Sequence, residues 1–275
     1  MKNKVQVWQE TVTIPTYSPP PPELAPMFLE RRVNQGASGR IYPNPLTDHI
    51  ADVEKEDKTY LAVFLENEYV QLTMLPELGG RIFAGLDKTN GYDFFYRQHV
   101  VKPALIGLFG AWMSGGVEFN WPQHHRPSTF MPVDHSIEHH ADGSRTVWLG
   151  EHDPMQRMKG MVGVCLYPGS AVVETKVRLY NRTPFPQTFL WWENVAVRVN
   201  EQYQIFFPPD VTYVTFHSKQ TMAHYPVARK VYCGVDFSQG VDISWHRNSP
   251  HATSYFAGES RYDFFGGYDH GRRAG

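Results

Sequence analysis

The chain has 275 residues, and its 26 basic against 28 acidic side chains give a formal net charge of −2. This balance argues against a nucleic-acid or acidic-membrane partner, because either would need a concentrated basic surface. Hydrophobic residues at 41% and charged residues at 20% are typical of a globular protein. No signal-peptide core is visible and no apolar run approaches 18 residues, so the sequence predicts a cytoplasmic protein without a membrane span.

Cysteine usage is sparse. The two cysteines, Cys165 and Cys233, lie far apart in the sequence and have no metal-ligand spacing. No phosphate-binding glycine loop, nucleophile elbow or zinc motif occurs. We therefore expect no metal and no cofactor. The sequence does not predict an oligomeric state.

The N-terminal region is irregular. Residues 4–17 alternate and are rich in β-branched side chains, so they predict a strand, whereas residues 19–22 are four prolines that favour a stiff extended segment. Little regular pattern follows up to about residue 58. We predict that residues 1–58 form an arm packed on a main body of residues 59–275.

Dense β-pattern begins at residue 59. Short apolar or alternating runs predict strands, and Gly, Pro, Asn and Asp clusters punctuate them. The predicted strands are residues 60–66, 69–75, 80–87, 136–140, 146–151, 161–167, 171–180, 188–199, 204–207 and 211–216. No long helical period occurs. Many short strands predict an all-β sandwich or barrel of mainly antiparallel strands. The aromatic, strand-like residues 262–268 lie close to the end, so we expect a fragment of a longer protein or a shortened relative.

Residues 114–127 contain the first candidate site. Two glycines precede Glu118, Asn120 and Trp121, and alternation along a strand puts Glu118 and Asn120 on one face. His124, His125 and Arg126 follow directly. A His-His pair without a third ligand is weak support for a metal. This density of polar groups beside an indole favours a ligand pocket over a plain surface loop.

Residues 150–160 contain the second candidate site, at the end of a predicted strand. Glu151, His152, Asp153 and Arg157 are suited to binding hydroxyl groups or holding a proton. A solvated turn with a local ion pair is the alternative.

The third candidate site lies in the predicted strand 188–199. Strand alternation places Trp191 and Glu193 on one face and Trp192 and Asn194 on the other. Burial beside indoles raises the pKa of a carboxyl group, which would suit Glu193 to general acid or base catalysis. Alternatively, Glu193 pairs with an arginine as a structural element. We expect one indole in the core and one in a pocket. Arg81, after the Gly79-Gly80 turn, either reaches a ligand or braces its loop.

These motifs resemble, in their order, the galactose mutarotase-like family of β-supersandwiches. The resemblance rests on Leu78-Gly79-Gly80-Arg81-Ile82, on residues 114–122 with their glycine pair and Trp-Pro, and on residues 173–199 as a central hairpin. The Trp-Trp-Glu-Asn stretch and Phe207-Pro208-Pro209-Asp210 resemble more closely an uncharacterised, DUF5107-like family, whose members join such a domain to C-terminal segments that include helical repeats. The resemblance implies sugar binding on a curved sheet.

The chain departs from the mutarotase pattern at the acid and the base. The position of the family's histidine acid matches Glu193, and none of Glu259, Asp263 and Asp269 maps onto its glutamate base. Two carboxyl groups, one protonated and one ionised, would instead suit cleavage or transfer of a glycosidic bond.

The sequence therefore predicts a carbohydrate-active domain with a saccharide as its partner. Glu193 is the predicted proton-transfer residue, with Glu118 or Glu151 as its partner. The predicted substrate contacts are Arg81, Asn120, Trp121, His124, His125, Arg126, His152, Asp153, Arg157, Trp191, Trp192 and Asn194. The alternatives are a non-catalytic sugar-binding or structural module, and an aldose or hexose-phosphate 1-epimerase in which His124 or His125 replaces the usual acid.

Overall fold

The structure is a computed structural model that describes residues 4–18, 54–105, 111–122, 125, 127–153 and 157–275. Over these residues the elements are strands and three short 3₁₀ helices, which confirms the predicted all-β, mainly antiparallel class. The chain forms two compact units, Met1–Val197 and Arg198–Gly275. In the part of the chain described, no helix has the length and apolar character needed to cross a membrane.

The first sheet of the N-terminal unit has seven strands. Along the sheet their order is β1-β2-β3-β4-β8-β13, and β5 pairs with β4. Their bounds are β1 Gln6–Tyr17, β2 Lys55–Glu66, β3 Val70–Leu75, β4 Arg81–Asp87, β5 Tyr92–Asp93, β8 Val117–Asn120 and β13 Trp192–Val195. The strand predicted at residues 4–17 is therefore β1, which pairs with β2 over its full length. Residues 19–53 of the predicted arm lie outside the described residues.

The second sheet has four antiparallel strands in the order β12-β11-β10-β9. Their bounds are β9 Asp134–His139, β10 Arg145–Asp153, β11 Met158–Leu166 and β12 Glu174–Asn181. Two further strands, β6 Ala104–Leu105 and β7 Ala111–Trp112, form a separate pair. Short 3₁₀ helices span Pro76–Leu78 and Pro127–Phe130.

The main core lies between the two sheets. Alternate residues of both sheets meet there, among them Val63 and Leu72 from the first sheet and Val147 and Val162 from the second. A second cluster, which includes Tyr60, Leu75 and Phe83, covers the opposite side of the first sheet. We call the core-facing side of the first sheet its inner face and the other side its outer face.

The strand predicted at residues 188–199 is much shorter in the structure, because its partner β8 offers only four residues. Beyond the ladder, single hydrogen bonds continue the pairing, from Leu190 N to Pro122 O and from Ala196 N to Gly116 O. Pro122 has no N–H, so it cannot extend a regular ladder.

The C-terminal unit consists of short antiparallel pairs. Its strands are β14 Tyr203–Phe206, β15 Tyr213–Thr215, β16 Met222–His224, β17 Val227–Ala228, β18 Val231–Tyr232, β19 Val235–Asp236, β20 Val241–Asp242, β21 Phe256–Ala257 and β22 Gly266–Asp269. A 3₁₀ helix spans His246–Asn248. Val214, Tyr232 and Phe237 belong to its own small core.

Candidate functional site

The antiparallel pair of β8 and β13 sorts the predicted site residues onto two faces. Asn194 lies opposite Glu118, and Trp192 lies opposite Asn120, so these four share the outer face. Glu193 lies opposite Phe119, which belongs to the inter-sheet core and so defines the inner face. The alternation predicted for both segments is present, and it separates the two carboxylates, Glu118 and Glu193.

Glu118 is the centre of the outer-face site. Its side chain is only 3% exposed and accepts hydrogen bonds from three side chains. His125 Nδ1 lies 3.1 Å from each carboxylate oxygen, Thr129 Oγ1 donates to Oε1 at 2.7 Å, and Asn194 Nδ2 donates to Oε2 at 3.3 Å. The carboxylate is thus held in one orientation from three directions.

The environment keeps Glu118 ionised. Burial raises the pKa of a carboxyl group, but here other effects outweigh it. The hydrogen bond and charge of His125, the Thr129 hydroxyl and the positive charge of Arg81 together lower the pKa of Glu118 to about 2. Glu118 is therefore an anion at neutral pH, available to orient a cation or a donor.

His125 lies between two indoles. Its ring is edge-on to Trp192, with centroids 4.6 Å apart, and edge-on to Trp112, with centroids 5.8 Å apart. When Nδ1–H donates to Glu118, Nε2 is the nitrogen that can exchange a proton with a ligand. The His125 side chain is 16% exposed and Asn194 is exposed, so the site opens to solvent on this side.

The inner face of the same strands is part of the core. Trp121 is 1% exposed, and its ring stacks on Trp191 with centroids 5.4 Å apart. On the other side, a Cβ on Gly160 would lie 2.2 Å from the Trp121 ring. Both faces of the Trp121 indole are therefore covered, and the predicted stacking of a sugar on Trp121 has no surface to use. Trp191 is the core indole and Trp192 is the one beside the outer-face site.

Glu193 is half-buried on the inner face. Burial raises its pKa, and hydrogen bonds from Thr175 and Trp191 oppose this rise without cancelling it. Among the described residues, the donors to Glu193 are thus a hydroxyl and an indole rather than an arginine. Because Glu193 and Glu118 face opposite sides of the sheet, the structure does not bring this predicted pair together around one ligand.

Glu151 does not complete a pair with Glu193 either. It shares the core-facing side of β10, where its partner on β11 is Gly160. Thr175, which bonds Glu193, is paired instead with Val164. Gly160 and Val164 are four residues apart on β11, which is about 13 Å at the rise of a β-strand. Glu151 and the contact between Glu193 and Thr175 therefore lie at different positions along the sheet.

Arg81 is buried at 1% exposure, and its guanidinium is turned toward the backbone. Nη1 donates to the carbonyl oxygens of Met113 and Gly115 at 2.9 Å, Nε to Leu78 O at 3.3 Å, and Nη2 to Thr129 O at 3.4 Å. The structure thus favours the loop-bracing interpretation of Arg81 over the predicted ligand contact.

Of the remaining predicted residues, the three that the structure describes do not lie with Glu118 on the outer face. Asp153 is buried at the end of β10, His152 is exposed on the opposite side of that strand, and Arg157 is exposed in the following turn. His124 and Arg126 lie outside the described residues. Within the described ranges, no group of three or more His, Cys, Asp or Glu side chains is arranged to hold a metal ion.

Two residues of the site do not stand out in the sequence. Thr129, in the 3₁₀ helix, reaches back to Glu118, and Trp112 lies beside His125. Trp112 precedes the Gly115-Gly116 pair by only three residues, so proximity to that motif was an available signal. Nothing in the sequence around Thr129 indicates that its hydroxyl folds back onto β8.

The fold and site define a two-sheet all-β domain with a buried Glu–His pair on the outer face of one sheet. The chain matches the family described as "Domain of unknown function (DUF5107)" over residues 38–275, and it belongs to that family. It is also similar to the crystal structure of a TPR-domain containing protein from Parabacteroides distasonis, with 23% identity and a TM-score of 0.69. The match covers 86% of this chain and 38% of the longer protein, and it supports the fold alone.

Proposed function

We propose that this chain is a carbohydrate-binding domain whose ligand lies on the outer face of β8 and β13. In this proposal His125 transfers protons to and from the sugar, as in an aldose 1-epimerase-like isomerase. The observation that carries the proposal is the Glu118–His125 pair, bonded at 3.1 Å and placed edge-on to the indoles of Trp112 and Trp192. The resemblance of the glycine-pair and Trp-Pro segments to sugar epimerases supports the same proposed function.

The residue types suit a sugar. Indoles offer flat apolar surfaces for the C–H faces of a pyranose, while amide and imidazole groups bind its hydroxyls. Trp192 is half-buried and Asn194 is exposed next to it, so the two can contribute both kinds of contact. Oriented by an ionised carboxylate, the imidazole of His125 can act as a proton donor or acceptor.

The proposed chemistry is ring opening at the anomeric carbon. His125 Nε2 takes the proton of the anomeric hydroxyl, the C1–O1 bond becomes a carbonyl, and the bond from C1 to the ring oxygen breaks. The imidazolium returns the proton to the ring oxygen, so no atom or electron is gained or lost. Rotation about the adjacent bond and the reverse sequence then yield the other anomer. Glu118 remains ionised and stabilises the imidazolium.

Cleavage by paired carboxylates is less favoured by the geometry. That reaction needs two carboxyl groups about 5–9.5 Å apart on either side of one glycosidic bond. Glu118 and Glu193 lie on opposite faces of the sheet, and Glu118 already accepts bonds from His125, Thr129 and Asn194.

Binding without turnover is the second candidate function. Glu118 is saturated with donors and serves well as a fixed anchor for His125, which binding alone would also use. A scaffold role inside a longer chain is a further alternative, since the match covers only 38% of the TPR-domain containing protein. The cytoplasmic location and the lack of nucleic-acid and membrane partners remain predictions from composition.

The experiment that tests the proposal has two stages. A thermal-shift screen of free and phosphorylated aldoses identifies a ligand, because a ligand bound to the folded state raises its melting temperature. Anomer interconversion of that ligand is then followed by NMR for the wild type, for His125→Asn and for Glu193→Gln as the matched inner-face control.

We expect His125→Asn to reduce the rate to the uncatalysed background while Glu193→Gln leaves it unchanged. Loss of turnover in Glu193→Gln with full activity in His125→Asn would restore the sequence-based assignment and overturn this one. Saccharide binding with no acceleration in the wild type would favour the binding module.

A further inference from the structure

We propose that Arg81 is a positioning residue whose guanidinium fixes three backbone segments around Glu118 and thereby sets the orientation and proton affinity of His125. The inference rests on the proposed function for the use that His125 makes of that orientation. It assigns Arg81 a role without ligand contact.

Arg81 bonds backbone groups in three segments of the chain. Its donors reach Leu78 at the 3₁₀ helix before β4, Met113 and Gly115 in the segment before β8, and Thr129 in the second 3₁₀ helix. These three segments are distant from one another in sequence, and the second 3₁₀ helix supplies the Thr129 hydroxyl that bonds the buried carboxylate of Glu118. One planar group therefore holds three loops at fixed spacing.

A series of hydrogen bonds connects Arg81 to His125. Arg81 Nη2 donates to Thr129 Oγ1 at 3.4 Å, and the same hydroxyl donates to Glu118 Oε1 at 2.7 Å. Glu118 in turn accepts from His125 Nδ1. A displacement of Arg81 is thus transmitted through one hydroxyl and one carboxylate to the imidazole.

The backbone geometry supports a tight arrangement. Gly79 has φ +74°, and a Cβ on it would lie 2.4 Å from Thr129 O. A Cβ on Gly116 would lie 2.0 Å from Ile82 O, beside the start of β8. At these two positions only glycine leaves room for the neighbouring backbone. The segments that Arg81 bonds therefore also pack closely against each other at Gly79 and Gly116.

Charge and shape both point to arginine. Among the described residues, the charged groups that lower the pKa of the Glu118 carboxyl are His125 and Arg81. A lysine keeps the charge, but its single ammonium group cannot point donors at Met113, Leu78 and Thr129 at once. The planar arrangement of the guanidinium donors of Arg81 therefore matters as much as its charge.

The test compares Arg81→Lys, Arg81→Met and Thr129→Val with the wild type. Arg178→Met is the matched control, because Arg178 stacks on Trp148 of the other sheet at 4.0 Å and does not bond these loops. Thr129→Val removes the relay hydroxyl with little change in shape, and it keeps the test valid if Arg81→Met does not fold. The readout is the NMR titration of the His125 ring, which needs no saccharide.

We expect Arg81→Met and Thr129→Val to raise the His125 titration midpoint by about 0.5 pH or more, since each leaves the Glu118 anion less compensated. Arg81→Lys recovers part of the charge effect but not the ring orientation. In the anomer assay, Thr129→Val lowers kcat with KM within about twofold.

An unchanged His125 titration in both Thr129→Val and Arg81→Lys would overturn the positioning role, whether or not a sugar binds. If the titration moves as expected and no aldose binds the wild type, the positioning role stands and the proposed function fails. Arg178→Met leaves the titration unchanged if the effect is specific to this network.

Discussion

Glu118 on β8 and Glu193 on β13 belong to one pair of strands but face opposite sides of the sheet. Both are removed from water, and burial raises the pKa of both. On the outer face His125, Thr129 and Arg81 reverse that effect, whereas on the inner face Thr175 and Trp191 do not. The number and charge of the donors, rather than burial itself, decide in which direction the pKa of each carboxyl group shifts.

The residues proposed for function and the residues of the core lie on different faces of these two strands. The outer face gathers polar and titratable groups around Glu118, and the inner face gathers Phe119, Trp121 and Trp191 into the core. A mutation on one face should therefore leave the properties of the other face largely intact. The predictions that follow use this independence.

The largest expected effect is that of Glu118→Ala. It leaves the donors of His125 and Thr129 without their acceptor and removes the anion that balances the buried charge of Arg81, so we expect a loss of about 3–5 kcal/mol in the free energy of unfolding. Urea denaturation measures it. A loss below about 1 kcal/mol would mean that the network contributes little and would remove the contrast between the faces.

The pH dependence of stability should be nearly as large. The pKa of Glu118 is about 2 in the folded state against an ordinary value of 4.5. Its contribution is therefore present above pH 4.5 and is lost as the pH falls from 4.5 toward 2, by about 3 kcal/mol in total. Denaturation curves of wild type and Glu118→Gln across this range measure it, and the two should differ in slope there. Parallel curves would contradict the prediction.

Substitution of the two adjacent tryptophans should affect different properties, mainly stability for Trp191 and mainly saccharide binding for Trp192. Trp191→Ala removes an indole packed on Phe119 and Trp121, and we expect a cost of about 2–3 kcal/mol in stability. Trp192→Ala should cost less than about 1 kcal/mol but weaken saccharide binding. Thermal denaturation and titration calorimetry separate the two effects. Equal stability losses would show that Trp192 is a core residue as well.

Glu193→Gln should have the smallest effect. The raised pKa means that the ionised form is disfavoured in the folded state, so the associated stability is present below pH 4.5 and is lost as the pH rises through the folded-state pKa. At pH 7 a neutral amide should leave the melting temperature equal or slightly higher. A clear drop in melting temperature would indicate that the carboxylate is bound by a charge-dependent contact on the inner face.

Alternation along a strand is a local property, and it predicts the correct faces for Trp191, Trp192, Glu193 and Asn194. Which face becomes the core depends on the partner sheet, and this is why Trp121 was expected at a ligand and lies instead over Gly160. The extent of β13 depended on the four-residue length of β8. Thr129 was missed because its contact with Glu118 arises from the folding back of a 3₁₀ helix, which no local pattern encodes.

Because Trp121 packs directly on Gly160, the side-chain volumes that these two distant positions can hold depend on each other. A Cβ at residue 160 would overlap the indole ring at 2.2 Å, and the ring has Trp191 behind it. Among descendants of this sequence, a side chain at position 160 should therefore be accepted only together with a smaller residue at position 121. The pair should covary in evolution although Trp121 directly follows β8 of the first sheet and Gly160 belongs to β11 of the second.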